Sequence, residues 1–430
     1  MMNAGKFIKD LERTFAVTPA DVKKTIADFH SEMKLGLSGK KSSLKMLPSF
    51  VVRPKGSEKG RYLALDLGGT NLRFLAVELD GRGKASVLAV DRFVIEKNLM
   101  CGDGAALFDF IAQCVIDFLR KAKVSADGGL DLGFTFSFPV EQTGIAAGRL
   151  IAWTKGFGAS GVVGEDVVAL LGRALERKGM SSVKIAALVN DTVGTLVAKS
   201  YSDRSCDMGV ILGTGTNACY PESIANITKN RSLGTGGEMI INMEWGNFAR
   251  LTRTSYDIEV DKHSQNVGHH FLEKMVSGMY LGELTRRIVS DMGRQGLCNA
   301  FLKEYSFKTE YMSLIAAGSF DIPAEFGLKD ATADDREALK SICRIVSLRS
   351  ARMSGMAIAA VVTWMDPGLE REHTIGIDGS LFEGYPGFKD NITGVFNDLF
   401  GARAPRIRLE MAKDGSGIGA AIIAAVASGR

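Results

Sequence analysis

RYLALDLGGTNLRFLAVEL, at residues 61 to 79, contains the clearest structural signal in this chain of 430 residues. Two runs rich in Leu, Phe and Val are joined by a short turn, Gly68 to Asn71, and this composition predicts a β-hairpin whose turn needs a positive φ. The first strand ends near Asp66, and Asp is rare in strand interiors. A carboxylate beside two glycines suggests backbone N–H groups that bind an anion while the carboxylate faces its cation. This pattern favours a nucleotide phosphate with Mg²⁺, and an ordinary hairpin with a polar tip is the alternative.

A second stretch, GVILGTGTNACY at residues 209 to 220, repeats this plan. An apolar run leads into a turn at Gly213 to Asn217, and a return strand begins at Ala218. The first turn reads GGTN and the second reads TGTN. Because neither half alone could surround a triphosphate, the two matched hairpins predict two related halves that close on one nucleotide.

The composition indicates an ordinary globular protein of two or more domains, with 46% hydrophobic and 24% charged residues. The net charge is +4, but Lys and Arg alternate with Asp and Glu, so no basic block indicates a nucleic-acid partner. The six cysteines form no C-x-x-C pair, as expected of reduced thiols. We find neither a signal-peptide pattern nor an apolar run of about 18 residues, and therefore expect a cytoplasmic protein without a membrane partner.

Apolar periodicity predicts further elements along the chain. Amphipathic helices are expected in residues 1–47, with Thr18 as an N-cap and Pro19 as the first helical residue. The helix at 334–364 could be bent where Ser and Gly interrupt its apolar face. The remaining predictions are strands at 86–95, 184–189 and 373–378 and helices at 104–123, 164–178 and 267–291.

Short polar side chains stand among large apolar ones in residues 130 to 157, LDLGFTFSFPVEQTGIAAGRLIAWTKGF. A strand through Phe136 runs into Pro139, which removes a backbone donor and indicates a loop. Ser137, Thr154 and Lys155 are the polar members of this stretch. A small polyol needs such a mixture of fixed hydrogen-bonding groups and an apolar wall, and a plain surface loop is the alternative.

A strand at 184–189 brings Asn190 and Asp191 to its carboxyl end, and Thr192 opens the next helix. Ligand crevices of open α/β sheets lie at the carboxyl ends of strands, so Asp191 is well placed to act as a base. The alternative role of these residues is helix N-capping, for which Asn, Asp and Thr are favoured.

Three later stretches also carry polar groups at element ends. Glu244 lies beside Trp245, and Glu283 lies in the predicted helix at 267–291. The strand at 373–378 ends in Asp378, Gly379 and Ser380, which could bind phosphate or ribose. The glycine-rich segment from Asp414 to Gly419 begins an Ala-rich helix with free N–H groups. It mimics a dinucleotide fingerprint, but only ten residues follow Ala420, which excludes a Rossmann unit.

The chain resembles the hexokinase family, the eukaryotic-type hexokinase and glucokinase group of the actin-like ATPase superfamily. The resemblance rests on nine segments that occur in family order and extend over nearly the whole chain. They are DLGGTN (66–71), FTFSFPV (134–140), WTKGF (153–157), NDTVGT (190–195), GTGTNACY (213–220), EWGNF (244–248), GMYLGEL (278–284), IDGS (377–380) and GSGIGAA (415–421).

The resemblance implies roles for individual residues. Asp191 would be the general base, and Lys155 would join it in the catalytic group. Asp66 would lie near Mg²⁺, through water. The implied sugar contacts are Ser137, Thr154, Lys155, Asn190, Asp191, Asn217, Glu244 and Glu283. The implied nucleotide contacts are Asp66, Gly68, Gly69, Thr70, Asn71, Arg73, Thr214, Gly379, Ser380 and Ser416.

The resemblance also implies an α/β fold with two actin-like (ribonuclease H-like) domains, whose mixed central sheets are flanked by helices around an interdomain cleft. The smaller domain would comprise residues 52–190 and 415–430, and the larger would comprise 1–51 and 191–414. The implied activity is transfer of the γ-phosphoryl group of MgATP to the 6-hydroxyl of a hexose, with closure of the domains on the sugar. Glucose is the first candidate, with mannose and fructose open.

Other classes remain as alternatives. A non-catalytic sugar sensor could keep the same sites, although the residue assigned as base and the phosphate turns are intact here. Chaperone-type or cytoskeletal actin-like ATPases would lack the sugar segments, and repressor-like sugar kinases would carry a Cys-rich zinc motif. The oligomeric state is expected to be a monomer or a homodimer.

Overall fold

A computed structural model describes residues 4–68, 71–125, 129–153, 156–230, 233, 236–294, 303–321, 326 and 332–429. Its strands are β1 (Leu47–Pro48), β2 (Lys59–Leu67), β3 (Asn71–Asp80), β4 (Ala85–Val94), β5 (Leu130–Phe136), β6 (Val140–Gly144), β7 (Ala147–Leu150), β8 (Val183–Val189), β9 (Cys206–Leu212), β10 (Thr216–Ser223), β11 (Glu238–Asn242), β12 (His373–Asp378) and β13 (Ile407–Met411).

The helices are α1 (Ala4–Phe15), α2 (Pro19–Leu37), α3 (Lys97–Met100), α4 (Gly104–Ala122), α5 (Val167–Arg177), α6 (Asp191–Ser202), α7 (Ser255–Lys262), α8 (Phe271–Val276), α9 (Gly278–Arg294), α10 (Thr309–Ala316), α11 (Ala333–Met365), α12 (Ser380–Gly384), α13 (Phe388–Phe400) and α14 (Gly415–Ser428). Short 3₁₀ turns occur at Ile224–Asn226, Trp245–Asn247 and Gly401–Arg406.

Both predicted hairpins are present. β2 pairs with β3 in antiparallel register, with Leu67 opposite Leu72 at the turn. β9 pairs with β10 in the same way, with Leu212 opposite Thr216. The sequence did not predict the small hairpin of β6 and β7 that follows β5.

The two main sheets repeat one topology. The first has the order β4-β3-β2-β5-β8, and the second contains the order β11-β10-β9-β12-β13, with β1 added beside β11. In each sheet, an antiparallel meander of three strands is followed by two parallel strands. The prediction of two related α/β halves is therefore confirmed. The proposed domain boundaries stay a prediction. They are compatible with the structure, because each strand of the two main sheets belongs to the sheet that these boundaries assign to it.

Helices α6 and α14 pack against each other in a shared apolar core between the halves, together with residues of β2 and β3. The two helices cross with their backbones in contact. A Cβ atom on Gly419 would lie 1.9 Å from the carbonyl oxygen of Gly194. α14 lies equally close to β5, because a Cβ atom on Gly133 would be 2.0 Å from the carbonyl oxygen of Ala420. Glycine at these positions lets the last helix join the two halves.

Helix α11 runs through the core of the second half without a break at its Ser and Gly residues. The hydroxyls of two of its serines form hydrogen bonds with backbone carbonyls. Ser350 Oγ donates to the carbonyl of Val276 at 2.8 Å, and Ser354 Oγ donates to the carbonyl of Ser350 at 2.9 Å. Within the described ranges this helix is the one that has the length and apolar composition to cross a membrane. However, 89% of its most apolar 18-residue stretch is buried inside the protein.

The prediction of one continuous helix at 267–291 is wrong. Ser277 has an extended backbone and divides this segment into α8 and α9. This break has a physical reason. The N–H of Gly278 donates to the carbonyl of Gly213 at 2.8 Å, and that of Met279 donates to the carbonyl of Thr214 at 3.1 Å. The start of α9 is thus tied to the turn of the second hairpin.

Candidate active site

Asp66 and Arg73 face each other across the first hairpin, two residues from its turn. The guanidinium of Arg73 donates to Asp66 Oδ2 at 3.0 Å and to Ser416 Oγ at 3.0 Å, and it also binds Asp414. Ser416 Oγ donates to the same oxygen of Asp66 at 2.9 Å. The structure therefore brings three of the predicted nucleotide-side residues together at the start of α14.

Asp378, at the end of β12, is a fourth charged group beside this cluster. Burial raises the pKa of Asp378, Arg73 opposes that shift, and the negative charges of Asp414 and Asp66 reinforce it. The next residue, Gly379, has a φ of 131°, and a Cβ atom there would lie 2.3 Å from the carbonyl oxygen of Leu212. The chain after β12 therefore passes directly over the second hairpin, with Ser380 exposed at the start of α12.

Gly68 of the first turn and Gly213 of the second turn lie next to this group of residues. A Cβ atom on Gly68 would lie 3.6 Å from Asp66 Oδ1 and 3.7 Å from Ser137 Oγ, so Ser137 is a neighbour of the first turn. Asn71 begins β3, and Thr214 is exposed at the tip of the second turn. Four predicted site residues lie outside the described part of the chain: Gly69, Thr70, Thr154 and Lys155.

The expectation that the turns need a positive φ is wrong for the second turn at Gly213 and Gly215, neither of which has one. In the first turn Gly68 has no positive φ, and Gly69 lies outside the described residues. The structure gives a different reason for glycine in the second turn. A Cβ atom on Gly215 would lie 2.9 Å from Glu273 Oε2, and one on Gly213 would lie 3.4 Å from the Cα atom of Gly379. A side chain at position 215 would crowd the Glu273 carboxylate, whereas at position 213 a Cβ atom would make an ordinary van der Waals contact. The approach of Glu273, and not backbone conformation, therefore favours glycine at position 215.

Glu244 is the centre of an amide and carboxylate cluster on the second half. Its Oε1 accepts hydrogen bonds from the side-chain amides of Asn217 and Asn242, both at 3.1 Å. Its Oε2 lies 3.7 Å from Lys45 Nζ. The residue has a φ of 55°, in the left-handed region that a side chain other than Gly or Asn adopts at a cost. This carboxylate is therefore held in one orientation by its neighbours.

Glu273, which the sequence did not single out, lies beside this cluster. Its Oε2 accepts the N–H of Thr216 at 3.1 Å, next to Asn217. Its Cβ atom would be 3.2 Å from a Cβ atom on Gly246, next to Trp245. The available signal was its place in LEKM, which ends two residues before GMYLGEL. Only the packing of α8 against the second turn reveals its position.

Glu283 does not join the cluster, contrary to the sequence prediction. Its side chain is 0% exposed. One oxygen accepts from Arg286 Nε at 2.6 Å and from the N–H of Tyr305 at 2.7 Å, and the other accepts from Arg286 Nη2 at 2.6 Å and from Arg287 Nε at 2.9 Å. With four donors on two oxygens, this carboxylate has no capacity for a sugar hydroxyl, and its role is to fix α9.

Asn190 and Asp191 lie where β8 of the first half passes into α6. Asn190 is the N-cap, since its Oδ1 accepts the N–H of Thr192 at 3.0 Å. Asp191, and not Thr192, is the first helical residue, and it is half-buried. The carbonyl of Thr192 accepts the thiol of Cys219 at 3.0 Å, so the start of α6 rests on β10 of the second half. Asp191 therefore lies at the boundary between the halves.

Aromatic side chains support the first-half side of the cleft. Trp153 stacks on Phe157, with ring centroids 5.2 Å apart, and packs edge-on against Phe138 at 4.9 Å. A small cavity between the halves is lined by Phe138 and Ile151 from one side and by Asn242 and Glu244 from the other, with Asn190 between them. The arrangement combines an apolar wall with fixed amides and carboxylates, which suits a small polyhydroxyl ligand.

Comparison with known proteins identifies the family. Two family models, both described as hexokinase, match residues 7–201 and 207–426. Hexokinase-1 of Schizosaccharomyces pombe is 37% identical over 442 residues, which cover 97% of this chain and 90% of that protein. The chain belongs to the hexokinase family.

A solved relative, described as hexokinase from Schistosoma mansoni complexed with glucose, superposes with a TM-score of 0.86 at 35% identity and covers 99% of this chain and 100% of its own. Mouse hexokinase HKDC1 is 42% identical over 92% of this chain, which spans about half of that longer protein, 45% of its length. Family membership confirms the predicted two-domain α/β fold and the predicted enzyme class, a hexose kinase.

Proposed function

We propose that this hexose kinase transfers the γ-phosphoryl group of MgATP to the 6-hydroxyl of D-glucose, with Asp191 as the general base. The observation that carries the proposal is the place of Asp191 at the boundary of the halves. On one side lies the Asp66–Arg73–Ser416 cluster, next to the first turn. On the other lies the Asn217–Glu244 cluster. A hydroxyl bound at the second cluster and a phosphate bound at the first would meet at Asp191.

The chemistry requires a base at that point. A primary hydroxyl is a weak nucleophile, so a positioned carboxylate that accepts its proton accelerates the attack on phosphorus. Asn190, Asn217 and Glu244 would orient the sugar, and Glu273 replaces Glu283 as a proposed sugar contact. Ser137 would contact the sugar from the first half, as would Thr154 and Lys155, whose roles rest on the sequence. Most of the acceleration would come from positioning.

The nucleotide side fits a phosphate group that carries Mg²⁺. Among the residues that the structure describes, no group of three or more His, Cys, Asp and Glu side chains could hold a metal ion by itself. Mg²⁺ commonly binds through one or two carboxylates together with phosphate and water, and Asp66 offers such a carboxylate. When bound, Mg²⁺ would neutralise phosphate charge. The proposed phosphate and nucleoside contacts are Gly68, Gly69, Thr70, Asn71, Arg73, Thr214, Gly379, Ser380 and Ser416.

The test is a coupled assay of ADP formation with ATP and a panel of glucose, mannose, fructose and no sugar, on the wild type and on Asp191→Asn. We expect sugar-dependent turnover with the highest kcat/KM for glucose. The Asn variant should keep glucose affinity while kcat falls roughly 10²-fold to 10⁴-fold, the usual contribution of a positioned base. Glucose binding without turnover in the wild type would instead indicate a sugar sensor. Full turnover in a well-folded Asn variant would remove Asp191 as the base.

A further inference from the structure

His270 lies next to Glu273 and close enough to Glu244 for its charge to act on the ring, and the proposed function assigns both carboxylates to the sugar. It directly precedes α8, and its Nδ1 lies 3.7 Å from Glu273 Oε1. Its backbone is held in place: φ is 56°, and its N–H donates to Asn247 Oδ1 at 3.1 Å. Because Asn247 ends the 3₁₀ turn that follows Glu244, this hydrogen bond ties the backbone of His270 to the segment that carries Glu244.

The charges around the imidazole come from several elements. Glu273 and Lys274 lie on α8, Glu244 lies before the 3₁₀ turn, and His269 precedes His270 in the chain. Lys45 reaches the group from the segment before β1, where it also contacts Glu244. Burial lowers the pKa of His270 below its ordinary value of 6.5, the charge of Glu244 opposes this shift, and Lys45, Lys274 and His269 reinforce it.

We propose that His270 is a positioning residue for sugar binding, whose neutral imidazole leaves Glu244 and Glu273 as acceptors for sugar hydroxyls and whose protonated form withdraws them. A neutral imidazole carries one N–H and one lone pair, so it can support one carboxylate without neutralising either. An imidazolium has two N–H donors and a positive charge, and charge-assisted hydrogen bonds to the carboxylates are stronger than those from sugar hydroxyls. This inference rests on the proposed function.

The direction of the pH dependence follows from this competition. Because sugar binds the neutral form, sugar binding lowers the pKa of His270 further and releases protons when the pH is near that pKa. The glucose Kd is constant at high pH and rises as the pH falls below the pKa of His270 in the free enzyme, by up to about tenfold per pH unit. Nucleotide affinity does not follow this profile, since His270 contacts the sugar side alone.

The experiment is calorimetric titration of the full chain with glucose, without nucleotide, between pH 5 and pH 8. Each titration is run in two buffers of different ionisation enthalpy, so that proton release is measured directly. We expect the wild type to release protons on binding and to lose affinity at low pH. His270→Gln and His270→Asn, which keep a neutral donor and acceptor, should remove both effects and keep a Kd at pH 8 within about threefold of the wild type.

His269→Gln is the matched control, because His269 is the adjacent histidine and its side chain is exposed. It should keep both the proton release on binding and the loss of affinity at low pH. Unchanged proton release in both His270 variants would overturn the inference, as would its equal loss in His269→Gln or a wild-type Kd that does not vary with pH. Absence of glucose binding by the wild type at every pH would instead overturn the proposed function on which the inference rests.

Discussion

Glu273 and Glu283 are two glutamates of neighbouring helices whose carboxylates have different surroundings. Glu273 accepts a backbone N–H from the second turn and remains 21% exposed at the cleft. Glu283 is fully buried and bound by two arginines. Both residues are glutamates on helices, so residue type and helical context do not distinguish them. At the scale of single residues, their hydrogen-bond partners show which is a candidate ligand contact and which belongs to a structural ion pair.

Exchanging each glutamate for glutamine tests this distinction. Glu273→Gln should raise the glucose KM by roughly 10-fold to 150-fold with little loss of stability, since a hydrogen bond to a charged group contributes about 1.5–3 kcal/mol. Glu283→Gln should leave Arg286 buried without its counter-charge and destabilise the fold by about 3 kcal/mol. Steady-state kinetics and urea unfolding measure the two effects. The opposite result would contradict these roles: a raised glucose KM in a stable Glu283→Gln variant, with an unchanged KM in Glu273→Gln.

At the scale of elements, the crossing of α6 and α14 is the contact that joins the halves. Its closeness depends on Gly194 and Gly419, because a Cβ atom on Gly419 would lie 1.9 Å from a backbone oxygen. The N-termini of the same two helices carry Asp191 and Ser416 into the site. A change in the crossing therefore reaches both the proposed base and the nucleotide-side cluster.

Gly419→Ala should force the helices apart and destabilise the protein by about 1–3 kcal/mol, the usual cost of overpacking. It should also lower kcat, because both helix starts move. Gly172→Ala is the matched control: it lies within α5, and a Cβ atom there would meet only the end of the Ile185 side chain, at 3.9 Å. That variant should gain up to about 1 kcal/mol from helix propensity. Thermal unfolding of both variants measures the two changes in stability. If both changes have the same sign, the helix crossing is not the reason for the effect of Gly419→Ala.

At the scale of the whole molecule, the proposed sites lie on two halves of one topology and need the halves to approach each other. Exclusion of water is a general reason for closure in phosphoryl transfer, because water competes with the sugar hydroxyl. The tryptophans differ in what they can report. Trp245 is 1% exposed and its indole N–H donates to Thr216 Oγ1 at 2.9 Å. Closure therefore cannot reduce its solvent exposure further. Trp153 is half-buried beside the cleft cavity and is the better reporter.

Glucose alone should therefore change the tryptophan emission saturably, and Trp153→Phe should remove most of that change. Trp364→Phe is the control, since Trp364 donates to Glu222 in the core of the second half, away from the two clusters. Small-angle scattering should show a parallel decrease in the radius of gyration. If glucose saturates a binding assay while emission and scattering both stay constant, closure on the sugar is wrong for this protein even if the kinase activity is present.

The two hairpins, the α/β class and the place of Asp191 at a strand end could all be predicted from the sequence. This is possible because these features depend on local patterns: alternating apolar residues, glycine-rich turns, and polar residues directly after a strand. Capping followed the same rule, as Thr18 shows by receiving the N–H of Asp21 and binding its carboxylate. Which carboxylates share a site could not be predicted in this way, and it is the three-dimensional packing that reveals it.

Arg73 meets Asp414 across 341 positions of the chain, and Glu273 meets the second turn because Ser277 divides a helix that periodicity alone made continuous. Local patterns carry no information about such contacts, since they depend on how whole elements pack. The same reason explains Gly215, whose smallness serves the approach of Glu273 from a distant helix and not the conformation of its own turn.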